Sequence, residues 1–360
     1  MVVGLEQRYY GNSKPFPNLE THNMKYLTLE QSVKDIGRFV KRVDLKDLVK
    51  GEKPRWVVVG GSYGGNLAAW SRLKFPDLIY AGWISSAPLQ AAQDFPEYDT
   101  WVGHSLDAQC QKDLVQAINQ LDANLLLQGG KRYKSEFECD DVENDDVAWG
   151  IAEALGYLAQ YSIPQRPPEI SEICSDIQGE DKLLGMSSFY KRFYSKFNFT
   201  CNDLSGHDEK MDTNPANDAA MVRQNFYIMC RETGHFQIAP NNGNHFRSHI
   251  ITRENTHKRF CIEPFGITEP PNIDATNAMF GGLKINATRL AFTTGDLDPW
   301  FHLTLHDESL STPERPIYVI QGGRHTSDFN SPRLSGQPPA VAEVRRKVFS
   351  HIKGWLALPT

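Results

Sequence analysis

Nowhere in the 360 residues does an apolar run approach the ~18–20 residues that a membrane-spanning helix needs. The N-terminus also lacks the basic stretch, apolar core and small-residue cleavage site of a secretory leader. Positive charge is not in excess, since 38 Lys and Arg stand against 44 Asp and Glu for a net charge of −6. A phosphate backbone would find no basic surface to neutralise it, which argues against a nucleic-acid partner. Cysteine is sparse, and none of it falls in a C-x-x-C pair, so neither a structural zinc site nor a thioredoxin-type redox site is expected. No metal and no cofactor are predicted.

What is present begins with those cysteines. Cys110, Cys139, Cys174, Cys201, Cys230 and Cys261 are spaced 27 to 35 residues apart within one part of the chain. An even, confined set predicts disulfides, with 15 pairings open. Two glycosylation sequons, at Asn198 and Asn286, point to the same oxidising compartment. A composition of 40% hydrophobic and 23% charged residues is that of a globular protein, as two domains or as one large domain with an insertion.

Hydrophobic periodicity divides the chain into three. Over 1–92, Thr28 with Gln31 makes a capping box ahead of Leu29, Val33, Ile36, Val40 and Val43, which share one helical face. Trp56 to Val59 then reads as a parallel strand buried on both faces, Asn66 to Lys74 as a helix and Ala81 to Ser85 as a strand. Over 93–283 this signature fades into short helical patterns, as in an inserted domain. The acidic stretch Cys139 to Asp146 lacks the glycine and closing glutamate of a calcium loop and reads as a solvated loop. Over 284–360, Leu290 to Thr293 and Ile317 to Ile320 read as strands, and Val341, Val344, Val348, Ile352 and Trp355 line a last helix. Alternating strands and helices at both ends predict an α/β class with one parallel sheet.

Gly60-Gly61-Ser62-Tyr63-Gly64 fits G-x-S-x-G between a strand and a helix. Glycines two residues either side let the chain pass closely enough to expose a serine held in a strained conformation, and the Tyr63 amide would face a developing oxyanion. A base and an orienting carboxylate should follow on loops after later strands. Asp298, stiffened by Pro299 and preferred over Asp296, follows one strand, and His325 follows the next. His245 with His249, and His302 with His306, have the i, i+4 spacing of helical zinc pairs but no H-E-x-x-H glutamate, so they read as ordinary packing or surface histidines.

Taken together, Glu6-Gln7-Arg8-Tyr9-Tyr10-Gly11, Tyr26-Leu27-Thr28, Gly60 to Gly65 with Leu67-Ala68-Ala69-Trp70, and Leu297-Asp298-Pro299-Trp300 resemble the S28 serine peptidases. The middle region matches chiefly at Cys230-Arg231-Glu232-Thr233-Gly234. The resemblance implies an α/β-hydrolase fold carrying a mostly helical, disulfide-bonded cap. It also implies cleavage next to proline, as an exopeptidase, in a secreted or lysosomal/vacuolar setting, and is compatible with a homodimer. By position it implies Ser62 as nucleophile, His325 as general base and Asp298 as orienting carboxylate. Trp300 would line a proline pocket, with Asn66 making that pocket more polar. Gln7 stands where the family usually has histidine. The chain starts near what would be the family's fourth strand, so the first strands and a glycine-rich oxyanion loop are expected to be missing. An esterase or lipase on the same fold, or an inactive remnant that only binds, are the rival readings.

Overall fold

The computed structural model describes residues 1–45, 54–127, 130–140, 142–164, 169–197, 211–214, 221–240 and 245–358. They form two compact units. The first joins Met1–Ala91, Arg231–Thr233 and Pro271–Thr360, and the second joins Ala92–Cys230 and Gly234–Pro270. The strands in chain order are β1 (Trp56–Gly61), β2 (Ile79–Ser85), β3 (Ala92–Asp94), β4 (Gly234–Phe236), β5 (Leu290–Gly295) and β6 (Ile317–Ile320). Helices of eight residues or more are α1 (Leu29–Arg42), α2 (Ser62–Lys74), α3 (Glu97–His104), α4 (Ala108–Leu127), α5 (Asn144–Tyr161), α6 (Lys182–Phe197), α7 (Met221–Ile228), α8 (Ile273–Phe280) and α9 (Pro339–Ala357).

In the first unit the sheet runs β1-β2-β5-β6 with every neighbouring pair parallel. Parallel neighbours cannot be joined by a hairpin, and α2 is the crossover between β1 and β2. The central strand β5 is buried throughout and β2 almost so, as their apolar runs require. β1 differs from expectation. It is an edge strand with one neighbour among the described residues, and Val59 is 59% exposed, so its apolar run is not covered on both faces. The predicted face of α9 is buried as read: Val341, Val344, Val348, Ile352 and Trp355 pack on Ala81, Trp83, Ala291 and Ile320. Each such side chain contributes roughly 1.5–3 kcal/mol. α8 also belongs to this unit, with Phe280 stacked 4.2 Å from Trp70, so the sheet-bearing unit resumes ahead of the change in composition near 283.

The predicted capping box is half formed. Thr28 Oγ1 accepts from the Gln31 amide at 3.2 Å, but the Gln31 side chain is taken by Arg8. The Leu29 amide, one of the open donors at the start of α1, donates to the Glu232 carboxyl group at 3.0 Å.

The second unit is built from α3 to α7 with a short parallel pair, β3 and β4. Cys110–Cys174 and Cys230–Cys261 cross-link it, and no cysteine among the described residues is free. Cys201 lies outside the described residues. Arg247, fully buried, is bonded to Asp99 at 2.9 Å and stacks over Trp149 at 4.9 Å. The acidic stretch read as a loop is partly the start of α5: Asp145 and Asp146 occupy its first turn, where the helix end favours negative charge, and Arg259 pairs with Asp146.

Candidate active site

Ser62 is the first residue of α2 and follows directly on β1. Its φ of 54° lies in the left-handed region, costly for a non-glycine residue and held only where surroundings enforce it. Gly60 shows how the turn is enforced, because a Cβ there would sit 2.2 Å from the Gly64 carbonyl oxygen. The demand is one-sided. A Cβ on Gly64 would meet open space, whereas one on Gly65 would lie 2.9 Å from Ala87 Cβ, so the close approaches fall at Gly60 and Gly65 rather than symmetrically about the serine. The opening amides of α2, Tyr63 among them, have no intrahelical acceptor and carry the positive end of the helix.

The loops that carry Asp298 and His325 are sutured to each other by backbone. A Cβ on Gly295 would lie 2.2 Å from the Gly323 carbonyl oxygen, and that oxygen accepts from the Leu297 amide at 2.9 Å. The Asp296 amide donates to Ile320. Burial pushes the Asp296 carboxyl up, opposed by nearby backbone amides, that of Gly322 first. Asp298 is the one that meets the histidine. His325 Nδ1 lies 3.0 Å from both carboxylate oxygens, Asp298 is fully buried, and its Oδ1 also accepts from the Trp300 amide at 3.0 Å. Nδ1 therefore carries the proton, which leaves Nε2 as the acceptor. Gly61, immediately before the serine, touches Thr326, immediately after the histidine, with only 2.9 Å for a Cβ. The serine turn and the histidine loop thus abut.

Several supporting residues carry no motif in the sequence. The Thr326 amide donates to Ser86 Oγ at 2.9 Å. Asp328, buried three residues past the histidine, accepts from Ser85 Oγ (2.5 Å), Thr293 Oγ1 (2.6 Å) and Trp83 Nε1 (3.0 Å), which ties the base loop to β2 and β5. Burial pushes its carboxyl up, against those hydrogen bonds. Gln7, whose effect was unassigned, donates from Nε2 to Tyr63 Oη at 2.7 Å and to Ser32 Oγ at 2.8 Å, anchoring the residue beside the nucleophile position. Burial raises the Tyr63 phenol as well, keeping it neutral. Near it, Glu232 is pushed up to about 7, chiefly by burial.

Asn66 lies one turn along α2 from Ser62 and is buried. Its Nδ2 donates to the Pro88 carbonyl at 2.9 Å, and its Oδ1 has no partner among the described residues. The Trp300 ring is 6.4 Å from the His325 ring. Asn286 is exposed, and Asn198 lies outside the described residues. His302 and His306 are not on an α-helix, and His306 packs on Phe301 at 4.2 Å.

Comparison with known proteins identifies the family. The profile of the family described as Serine carboxypeptidase S28 matches residues 1–348. The chain is 31% identical over 382 residues to a probable serine protease, EDA2, of Arabidopsis thaliana, covering 99% of this chain and 75% of the relative. It is 27% identical to the thymus-specific serine protease of Homo sapiens, covering 99% and 74%. It is 23% identical to a probable extracellular serine carboxypeptidase of Arthroderma benhamiae, covering 98% and 57%. Among solved structures, proline iminopeptidase of Mycobacterium smegmatis is remotely similar, at a TM-score of 0.34 and 14% identity over 96% of this chain and 78% of that one. The chain belongs to the S28 family of serine peptidases, and its first unit is built on a four-stranded parallel sheet.

Proposed function

We propose that this S28 family member hydrolyses peptide bonds through an acyl-enzyme formed on Ser62, acting as an exopeptidase with a preference for proline. The observation that carries the reading is the convergence of three loops, with a left-handed Ser62 abutting the segment that holds His325 on Asp298. Ser62 Oγ attacks the scissile carbonyl carbon while His325 Nε2 takes its proton, and Asp298 steadies the imidazolium that forms. The Tyr63 amide stabilises the oxyanion, a donor of the kind worth roughly 3 kcal/mol in the barrier. His325 then protonates the leaving amine, and water repeats the sequence to release the acid. Trp300, beside both acid and base, offers an apolar wall for a proline ring. The disulfides and the exposed Asn286 sequon support a secreted or lysosomal setting.

Steady-state kinetics on matched substrates test this reading. A short peptide with proline at the scissile bond should give a kcat/KM at least ~10-fold above its alanine counterpart, about what one well-fitted apolar ring contributes. Turnover of a short acyl ester with no peptide turnover would instead identify an esterase.

A further inference from the structure

The second unit holds a cluster that the peptidase chemistry does not use. Asp122 on α4 and His245 and His249 on the segment after β4 each present one ligand atom, and the three atoms lie within 4.8 Å of one another. The histidines are not on a helix, so the spacing that made them resemble a helical pair is incidental. Their rings nevertheless come within 3.8 Å, centroid to centroid.

His245 is the informative member. It is only 2% exposed, and neither ring nitrogen has a hydrogen-bond partner among the described residues. A buried imidazole with both nitrogens unmet is rare in folded proteins, because the lost hydration goes uncompensated. The carboxylate it faces is already oriented. Asp122 Oδ1 accepts from Ser248 Oγ at 2.5 Å and Oδ2 from the His249 amide at 3.0 Å, so the segment that carries the histidines also fixes the acid. That is the outer hydrogen bonding that metal-ligating carboxylates receive.

We propose that Asp122, His245 and His249 bind a first-row transition dication, Zn2+ by preference. Two imidazoles and one carboxylate match zinc and its neighbours rather than calcium or magnesium, which require an all-oxygen shell. His249 is exposed, so the cation is bound at the rim of the unit and a fourth position remains for water. The cation satisfies the His245 nitrogen and pins α4 to the 245–249 segment, adding a link to a unit already cross-linked by two described disulfides.

The test is titration of the full chain with ZnCl2 against a chromophoric chelator, with Co2+ absorption reporting the ligand field. Wild type should bind one equivalent that His249→Ala weakens at least ~10-fold, with His245→Ala and Asp122→Asn weakening it likewise. Zn2+ should also raise the thermal midpoint of wild type and not of His249→Ala. Because His249 is exposed, its removal leaves the core intact and decides the matter even where the other two variants fold poorly. A folded wild-type chain that binds no Zn2+, or an affinity unchanged in His249→Ala, overturns the site.

Discussion

In the first unit, polar groups at the ends of strands and helices are satisfied by residues that return from far along the chain. Asp328 accepts from Ser85 across 243 positions, and Glu232 accepts from the Leu29 amide across 203. In the second unit comparable long-range hydrogen bonds, such as Ser248 to Asp122 across 126 positions, are joined by covalent links and buried ion pairs, among them Cys110–Cys174, Cys230–Cys261 and Arg247–Asp99. A parallel sheet gives its strand ends fixed neighbours, so a few hydrogen bonds and glycine contacts suffice to position loops. In the helical unit, the disulfides and buried ion pairs add to side-chain packing in holding the elements together. The loops that bear Ser62, Asp298 and His325 all belong to the unit with the frame.

The sharpest challenge to this contrast is the ion pair. Arg247→Leu strands a buried Asp99 and should cost about 3–5 kcal/mol, seen as a lowered urea midpoint. Arg247→Leu with Asp99→Leu should recover much of that loss. A single variant as stable as wild type would remove the ion pair from the account. Next is the covalent link. Replacing Cys110 and Cys174 with serine opens a loop of 64 residues and should cost ~2–4 kcal/mol in thermal unfolding, whereas an unchanged midpoint would show that helix packing alone selects the fold of this unit.

The smallest effect tests the first unit. Glu232 is raised from 4.5 to about 7, so the folded chain binds that proton more tightly than the unfolded one. Its contribution to stability is therefore complete below pH 4.5 and lost as pH rises through about 7. Glu232→Gln, neutral throughout, should flatten that decline, as read from urea midpoints at pH 5 and 8. Parallel pH profiles for the two proteins would contradict the placement of this carboxyl.

The same contrast governs what could be read in the sequence. The serine turn, the acid loop and the base loop were legible because each follows a short apolar strand and depends on neighbours only a few residues away. Even there, the sequence implied symmetrical glycine constraints about Ser62, and only the packing revealed that Gly64 is free while Gly65 is not. β1 read as a doubly covered strand because composition reports apolar content and not place in the sheet. Asp328 carried no signal, and Gln7 stood out only as a departure from the family motif, since their partners lie 25 to 245 positions away. Within Cys230 to Gly234, the stretch at which the middle region chiefly resembles the family, Arg231 to Thr233 belong to the first unit. For His245 and His249 the i, i+4 spacing carried no information, because the segment that holds them is not helical and Asp122 reaches them from more than 120 positions away.

The central claim is that Ser62 is a nucleophile activated by the His325–Asp298 pair, and labelling of the folded chain with a fluorophosphonate probe tests it most directly. The account predicts one equivalent of label, mapped to Ser62 by peptide mass spectrometry, absent in Ser62→Ala and slowed by about 10³-fold or more in His325→Ala. A folded wild-type protein that takes up no label, or one labelled equally well in Ser62→Ala, would contradict it.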